Sequence, residues 1–425
     1  MKYKIISLGC KVNSYECSAL ASLFKKRGYE ESFDNECDIV VINTCSVTAT
    51  ADQKSRQHIR KMMKLYPHAI CAVMGCYSQG NFEYIKNEIK PQIVVGTSHR
   101  DEIPELIDRY LKDHKPIYLV DNNPRVFDYE EMGVTSYSEN VRAYLKIQDG
   151  CDNFCTYCLI PYRRGKMRSR AKENVIKEAT FLVEQGYPEI VLTGIHVGGY
   201  GKDLKDTSFS ELVDELVHIP NIGSLRISSI EESEIDDHLI DLIINSPVLA
   251  KHLHIPLQSG SKTVLERMNR KYTPEQFLQK LQYLREKLPN IALTTDVIVG
   301  FPGESEEEFN ETVDFIKKCG FNMLHVFPFS AREGTGAYLM KNQIDPRIKK
   351  QRVGVLLELS KQLWNDYVDK FINQDIEVLI EKNDESLNES YGHTNNYIDV
   401  KIKDKCLKPC QKVVINLQKD MIVSK

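Results

Sequence analysis

The sequence predicts an α/β protein in three parts: an N-terminal domain on a parallel sheet, a central partial barrel of six β/α units, and a small all-β module at the carboxyl end. Three observations lead there. Short apolar runs alternate with helical patterns through the N-terminal part, six further apolar runs follow between residues 143 and 329, and beyond residue 371 the pattern changes to short alternating strands separated by turn residues. A chain of 425 residues with 42% hydrophobic and 27% charged residues has an ordinary globular balance and room for about two to four domains. No apolar run approaches the roughly 18 residues of a membrane span, and the apolar part of MKYKIISLGCKVN is too short for a signal peptide. A cytoplasmic protein is therefore expected. Its 12 cysteines then favour metal ligation or plain burial over disulfides. A net charge of -4 gives no global attraction to nucleic acid, so any such contact must be local.

In the first part, taken as residues 1–111, strands are expected at 3–8, 37–43, 70–74 and 93–96, with helices at 14–27 and 51–66. Cys10, Cys45 and Cys76 stand at or just beyond the ends of the first three strands, in LGCKVN, INTCSV and MGCY. In an open α/β sheet the carboxyl ends of the strands share one edge, where ligands bind, so these distant cysteines should meet at one site. Three separate core thiols are the plainer alternative, but the same structural place recurring three times favours a common site. Residues 112–140 lack strong periodicity, carry DNNP and read as a linker.

The central part, 141–366, supplies strands at 143–148, 190–197, 224–230, 252–258, 292–299 and 324–329, most of them separated by helical patterns. Its active site should lie at the carboxyl ends of these strands. The last part, 367–425, contains IEVLIE, NYIDVKI and KVVINL with turns at KNDES and near KDKC, a small antiparallel unit.

Directly after the first barrel strand comes DGCDNFCTYC, placing Cys151, Cys155 and Cys158 in a Cys-x3-Cys-x2-Cys pattern. Three thiolates this close can hold three irons of a 4Fe-4S cube and leave the fourth iron open to a small chelating ligand. A zinc knuckle would want another Cys or His soon after Cys158, and none follows. Cys17, Cys37, Cys71 and Cys319 are expected to pack as small apolar residues, and Cys406 with Cys410 lacks the second pair a metal site would need.

The triplet, with the aromatic Tyr157 before its last cysteine, resembles that of the radical S-adenosylmethionine (SAM) superfamily, whose open iron binds the amino and carboxylate groups of SAM. The three-cysteine domain, the triplet and a β module in this order are similar to the methylthiotransferases. CTYCLIPYRRGKMRSR matches that family's run after its cluster, with Pro161, Arg164, Gly165, Ser169 and Arg170 at family positions. LTGIHVGGYG, RISSIEESEI, HIPLQSGS, TTDVIVGFPGE and HVFPFSAREGT match the later strands and loops, and YGHTNNYIDVKI resembles the core of the RNA-binding TRAM module.

The resemblance implies a cluster on Cys151, Cys155 and Cys158 that reduces SAM to methionine and a 5'-deoxyadenosyl radical, and a second 4Fe-4S cluster on Cys10, Cys45 and Cys76 whose open iron carries the inserted sulfur. A second SAM supplies the methyl group. An aromatic C–H bond has neither an acidic proton nor a leaving group, so a radical is the route to it, and the protein's part is to position the cofactor and exclude water. Tyr157, Thr193 and Gly194 of TGIHV, Ser228, Ser229 and Glu231 after the third strand, Gln258, and Gly300 and Glu304 of VGFPGE are expected near SAM. His254 is expected to pack.

The basic run Arg163, Arg164, Lys166, Arg168 and Arg170 is expected to contact phosphates of a tRNA anticodon loop. LGCKVNSYE, with Lys11 and Val12 after Cys10, resembles the branch acting on N6-threonylcarbamoyladenosine at tRNA position 37. The isopentenyladenosine branch usually has glutamine and methionine there, and the branch modifying an aspartate of a small-subunit ribosomal protein has proline. The other readings are these two sister activities and a non-catalytic iron-sulfur protein that binds RNA or passes electrons, which would have no use for the SAM-type loops. Further expected partners are a low-potential electron donor such as flavodoxin or ferredoxin and a sulfur donor, with the enzyme a monomer. The last module lacks the usual basic excess, and Cys410 stands where the family commonly has glycine.

Overall fold

The computed structural model describes residues 1–33, 36–134, 141–403 and 407–423. Strands β1 (Lys2–Ser7), β2 (Glu30–Glu31), β3 (Ile39–Thr44), β4 (Ile70–Gly75), β5 (Ile93–Val95) and β6 (Ile117–Leu119) form one sheet in the order β2-β1-β3-β4-β5-β6, all parallel. β3 and β4 are buried throughout, which is why they read as unbroken apolar runs. Helix α1 (Lys11–Lys26) follows β1, α2 (Ala49–Leu65) follows β3 and α3 (Cys76–Gly80) follows β4. Period-two alternation divides the covering between the helices. Ile39 and Val41 share a core with Leu20 and Phe24 of α1, whereas Val40 and Ile42 share one with Ile59 and Met62 of α2.

β6 lies inside the stretch expected as linker, since its three half-buried residues are too few to show a period. The chain beyond it is also held down: Tyr129 Oη donates to the Lys146 carbonyl at 2.9 Å, and Glu130 and Glu131 pair with Arg100 and Arg170. Residues 135–140 of the expected linker lie outside the described residues.

The central part begins with β7 (Arg142–Lys146), β8 (Gln148–Asp149) and β9 (Arg168–Ser169), then β10 (Glu189–Thr193), β11 (Leu225–Ile227), β12 (His252–His254), β13 (Ala292–Val299) and β14 (Met323–Pro328). The parallel ladders β7-β10-β11 and β12-β13-β14 are joined by the Ser229–His254 bridge into the expected six-stranded partial barrel. β11 and β12 are shorter than their apolar runs, which continue as isolated bridges at Ser229 and Gln258. Ala143, Leu145, Ile190, Leu192, Leu225 and Ile227 face the helix layer, so the residues alternating with them, Arg142, Glu189 and Arg226 among them, face the lumen.

The last module is an antiparallel sheet of β15 (Asp375–Asp384), β16 (Glu389–Thr394), β17 (Asp399–Ile402) and β18 (Lys412–Asn416), in the order β17-β16-β15-β18. β16, ESYGHT, was not expected as a strand because its buried face is Ser390, Gly392 and Thr394 rather than apolar. At Gly392 a Cβ would stand 2.3 Å from the Leu379 carbonyl oxygen, so the polar strand is also a close-packed one. The Pro346–Val368 helix crosses the expected boundary at 366: Leu356 belongs to the barrel core and Trp364, Tyr367 and Val368 to that of the module. The module closes the amino end of the barrel. His393 Nε2 lies 3.1 Å from Glu189, Tyr397 stacks on His252 at 4.1 Å, and the Lys251 N–H donates to Asn395 Oδ1 at 2.7 Å. No helix among the described residues is long and apolar enough to cross a membrane.

Candidate active site between two cysteine triplets

Cys10 caps α1 after Leu8 and Gly9, which follow β1, Cys45 follows β3 directly, and Cys76 follows β4 as the first residue of α3. β1, β3 and β4 are neighbours, so the three cysteines share one sheet edge, as expected. Glycine is required at two of these turns. A Cβ on Gly9, at φ +108°, would lie 2.6 Å from Cys45 Sγ, and one on Gly75, at φ +104°, 2.4 Å from Asn43 Oδ1. Asn13 ties the loops together: Nδ2 donates to the Leu8 and Thr44 carbonyls at 2.5 and 3.1 Å, and Oδ1 accepts from Cys10 Sγ at 3.6 Å. Burial pushes the Cys45 thiol up and the Cys76 thiol up to about 11, so a metal bound there must displace protons.

The second triplet occupies the loop between β8 and β9, which pair antiparallel and pinch its base. Gly150, at φ +70°, lies where a Cβ would stand 1.9 Å from the Lys166 carbonyl oxygen, and the Cys151 N–H donates to the Gly165 carbonyl at 3.1 Å. Each sulfur has an N–H donor: Asn153 N on Cys151 at 3.5 Å, Arg270 Nη1 on Cys155 at 3.4 Å and Ile160 N on Cys158 at 3.4 Å. Donors aimed at all three sulfurs fit thiolates that ligate a cluster. Burial holds Cys158 at about 12 without one. Among the described residues no three His, Cys, Asp or Glu side chains gather as closely as one metal ion requires, whereas a cube spreads its thiolates over separate irons.

Two arginines tie the domain of the first triplet to the barrel mouth that bears the second. Arg164, fully buried, donates from Nε to Cys76 Sγ at 3.2 Å and from Nη2 to Asn13 Oδ1 at 3.2 Å, while Nη1 reaches Glu16 at 2.8 Å and Asp149 at 3.1 Å. Arg332, beyond β14, donates to the Ser46 carbonyl at 3.2 Å and to Asp52 at 2.6 Å, fixing the loop after Cys45 to the barrel mouth.

The expectation of an open basic run is not met. Arg164, Arg168 and Arg170 are buried, and carboxylates hold them: Arg168 lies 3.8 Å from Asp149, and Arg170 pairs with Glu178 at 2.7 Å and with Glu131. Alternating basic residues look alike on a solvated surface and in a buried ionic network, and only the fold separates the two. Arg163 and Lys166 are half-buried, and among the described residues neither has an ion-pair partner.

Of the residues expected near SAM, Thr193 ends β10, Gly194 packs on Gln148, Ser228 and Ser229 extend β11, and Gln258 holds a left-handed backbone at φ +64°; all lie at the carboxyl ends of the strands. Glu231 pairs with Arg270, the donor to Cys155. Tyr157, between Cys155 and Cys158, packs beside Phe301 and Phe329. Glu304 is committed elsewhere: it accepts from the Gly300 N–H at 2.6 Å and from Arg352 at 2.5 Å, so it fixes the turn in which Gly300 takes φ +70°. His254 packs between Thr294, at 2.9 Å, and Asp296, at 3.3 Å.

Two residues at the site were not anticipated, Arg270 and His196. His196 Nδ1 lies 3.9 Å from Cys151 Sγ and Nε2 2.8 Å from Glu234. Burial alone would lower its pKa, but Cys151 and Glu234 outweigh this and raise it to about 10. Its place in TGIHV was the available signal; Arg270, in RMNRKY, had none.

Residues 145–316 match the model of the Radical SAM superfamily, and residues 2–96 that of uncharacterized protein family UPF0004. The chain is 48% identical over 402 residues to the threonylcarbamoyladenosine tRNA methylthiotransferase MtaB of Bacillus subtilis, covering 93% of this chain and 89% of the relative. It is 37% identical to the MtaB of Aquifex aeolicus, covering 94% and 96%, and 36% identical to the tRNA-2-methylthio-N(6)-dimethylallyladenosine synthase of Acetivibrio thermocellus, covering 89% and 80%. The fold is also similar to that of the radical S-adenosylmethionine methyltransferase TsrM of Kitasatospora setae, with TM-score 0.58 at 15% identity over 76% of this chain and 72% of that one. With a barrel bearing its cysteine triplet at the mouth and relatives this similar over nearly their whole length, the chain belongs to the radical SAM methylthiotransferases, in the MtaB branch.

Proposed function

We propose that the enzyme converts N6-threonylcarbamoyladenosine at position 37 of tRNA to its 2-methylthio derivative, using two 4Fe-4S clusters and SAM. The observation that carries this reading is the position of Cys10, Cys45 and Cys76 on three adjacent strand ends, tied through Arg164 and Arg332 to the barrel mouth that bears Cys151, Cys155 and Cys158. The substrate follows from the similarity to the MtaB relatives and from Lys11 and Val12 after Cys10.

Cys151, Cys155 and Cys158 would hold one cluster and Cys10, Cys45 and Cys76 the other. When bound, clusters and SAM supply the radical chemistry that an aromatic C–H bond demands. Arg270 steadies Cys155 and Glu231 together; Thr193, Gly194, Ser228, Ser229, Gln258 and Gly300 frame the place for SAM; the docked N-terminal domain keeps bulk water from it. Arg163 and Lys166 are left to meet the anticodon loop. A low-potential electron donor such as flavodoxin or ferredoxin and a sulfur donor complete the reaction of a cytoplasmic monomer.

Anaerobic reconstitution should load about eight irons per chain, and about four once Cys151, Cys155 and Cys158 are all alanine, as two cubes require. Given SAM, reductant and sulfide, the intact enzyme should place methylthio at position 37 of lysine tRNA. One cube in the intact protein would remove the second cluster, and product confined to isopentenyladenosine tRNA or to a ribosomal protein would move the enzyme to a sister branch.

A further inference from the structure

We propose that Lys11 selects the substrate, its ammonium pairing in the barrel lumen with the carboxylate that a threonylcarbamoyl group keeps from threonine. This rests on the reading above that the target base is threonylcarbamoyladenosine.

Lys11 follows Cys10 directly and is the first residue of α1. That helix lies along the first barrel strand and the Lys172–Glu184 helix: Glu16 accepts from Lys146 Nζ at 3.2 Å, and Tyr15 Oη donates to Glu178 at 3.2 Å. Lys11 is exposed, yet the protein around it desolvates its ammonium first of all, and the charges acting on it are those of Arg142, Arg226 and Glu189. These stand on the lumen faces of β7, β11 and β10, opposite the apolar faces that meet the helices. A lysine open to solvent and also within reach of three barrel strands extends into the lumen, beside a ligand of one triplet and below the mouth that holds the other.

The charge balance there suits an anion. Glu189 is already shared by Arg142 at 2.7 Å, Arg226 at 3.0 Å and His393 at 3.1 Å, and among the described residues Lys11 has no ion-pair partner. Arg142 also holds Glu381 at 2.7 Å, so the two carboxylates match the two guanidiniums and the Lys11 ammonium is the positive charge left over. A carboxylate entering with the substrate would pair with it. A hydrocarbon N6 substituent would instead strip the ammonium of water and leave it unpaired, a penalty that discriminates against the wrong base.

The test uses reconstituted holoenzyme and synthetic anticodon stem-loops with threonylcarbamoyladenosine, its methyl ester or plain adenosine at position 37. The wild type should bind the acid on the order of 10- to 100-fold more tightly than the ester, the range for a hydrogen bond to a charged group. Lys11→Gln, with wild-type iron content, should bring that ratio close to unity, and Lys11→Arg should keep most of it. A Lys11→Gln enzyme that prefers the acid by the wild-type margin, or a wild type indifferent to esterification, overturns the role of Lys11 and leaves the substrate assignment standing. A wild type that binds the plain-adenosine loop as tightly as the threonylcarbamoyl loop overturns both.

Discussion

Replacing Glu189 by alanine should release the C-terminal module from the base of the barrel. Glu189 is 1% exposed and accepts from Arg142 Nε at 2.7 Å, from Arg226 Nε and Nη2 at 3.1 and 3.0 Å, and from His393 Nε2 at 3.1 Å. Arg142 keeps Glu381 at 2.7 Å, but Arg226, 4% exposed, has Glu189 as its carboxylate partner. Removing one side of a buried pair costs about 3–5 kcal/mol. The chain's single tryptophan reports on the module, since Trp364 lies in its core with Tyr367 and Phe371. With a slope of about 2 kcal/mol/M, the urea midpoint of Trp364 fluorescence should fall by about 2 M.

The pH dependence has a definite sign. Burial would raise the Glu189 pKa, but His393, Arg226 and Arg142 outweigh it and hold the carboxyl well below the usual range. The contribution is therefore complete above about pH 4.3, the unfolded glutamate value, and is lost as pH falls towards the lower folded value. Wild-type and Glu189→Ala midpoints should converge in acid. A loss below about 1 kcal/mol at neutral pH would refute the docking argument, because a surface pair contributes no more than that.

The triplets should fail differently: Cys155→Ala should abolish 5'-deoxyadenosine formation, whereas Cys45→Ala should spare SAM cleavage and stop sulfur insertion, both read by chromatography of the products. Lys166→Ala should weaken tRNA binding and lower the slope of log K against log salt by about 0.7–0.9 for each phosphate that the ammonium neutralises in the wild type. Arg168→Ala should leave that slope unchanged and lower stability by about 1–3 kcal/mol, because Arg168 is 6% exposed and its Nη1 donates to the Pro124 carbonyl at 3.0 Å.

The layers of the fold were legible because β3, β4 and the barrel strands are buried on one or both faces, and burial imposes an apolar pattern that sequence displays. β2, β6 and the β8–β9 pair were not, since two or three residues cannot establish a period. β16 was hidden for the opposite reason: it is long enough, but Ser390, Gly392 and His393 are buried through hydrogen bonds and close backbone approach rather than apolar area. The placement of the six cysteines could be read because strand ends and short spacings are local facts. Arg270 and Arg332 could not, as each acts across more than 100 residues of chain, on Cys155 and on Ser46.

The basic run after the triplet is where sequence and structure part most instructively. Arg164 and Arg168 lie around Asp149, and Arg164 also reaches Glu16 with Arg100 and Lys146, so charges from three separated stretches neutralise one another with almost no water. Burial would raise the carboxyl pKa values of Glu16 and Asp149, but these cations outweigh it and hold both well below the ordinary range. Replacing such a network with apolar residues would cost little stability in general, so its presence calls for another reason. Geometry supplies one. Apolar packing tolerates small slides, whereas Arg164 must meet Cys76, Asn13, Glu16 and Asp149 at once through a planar fork. If, as proposed, a sulfur carried at one triplet is to reach a carbon activated beside the other, the two domains have to keep a fixed distance, and a directional ionic clamp at their seam would meet that demand.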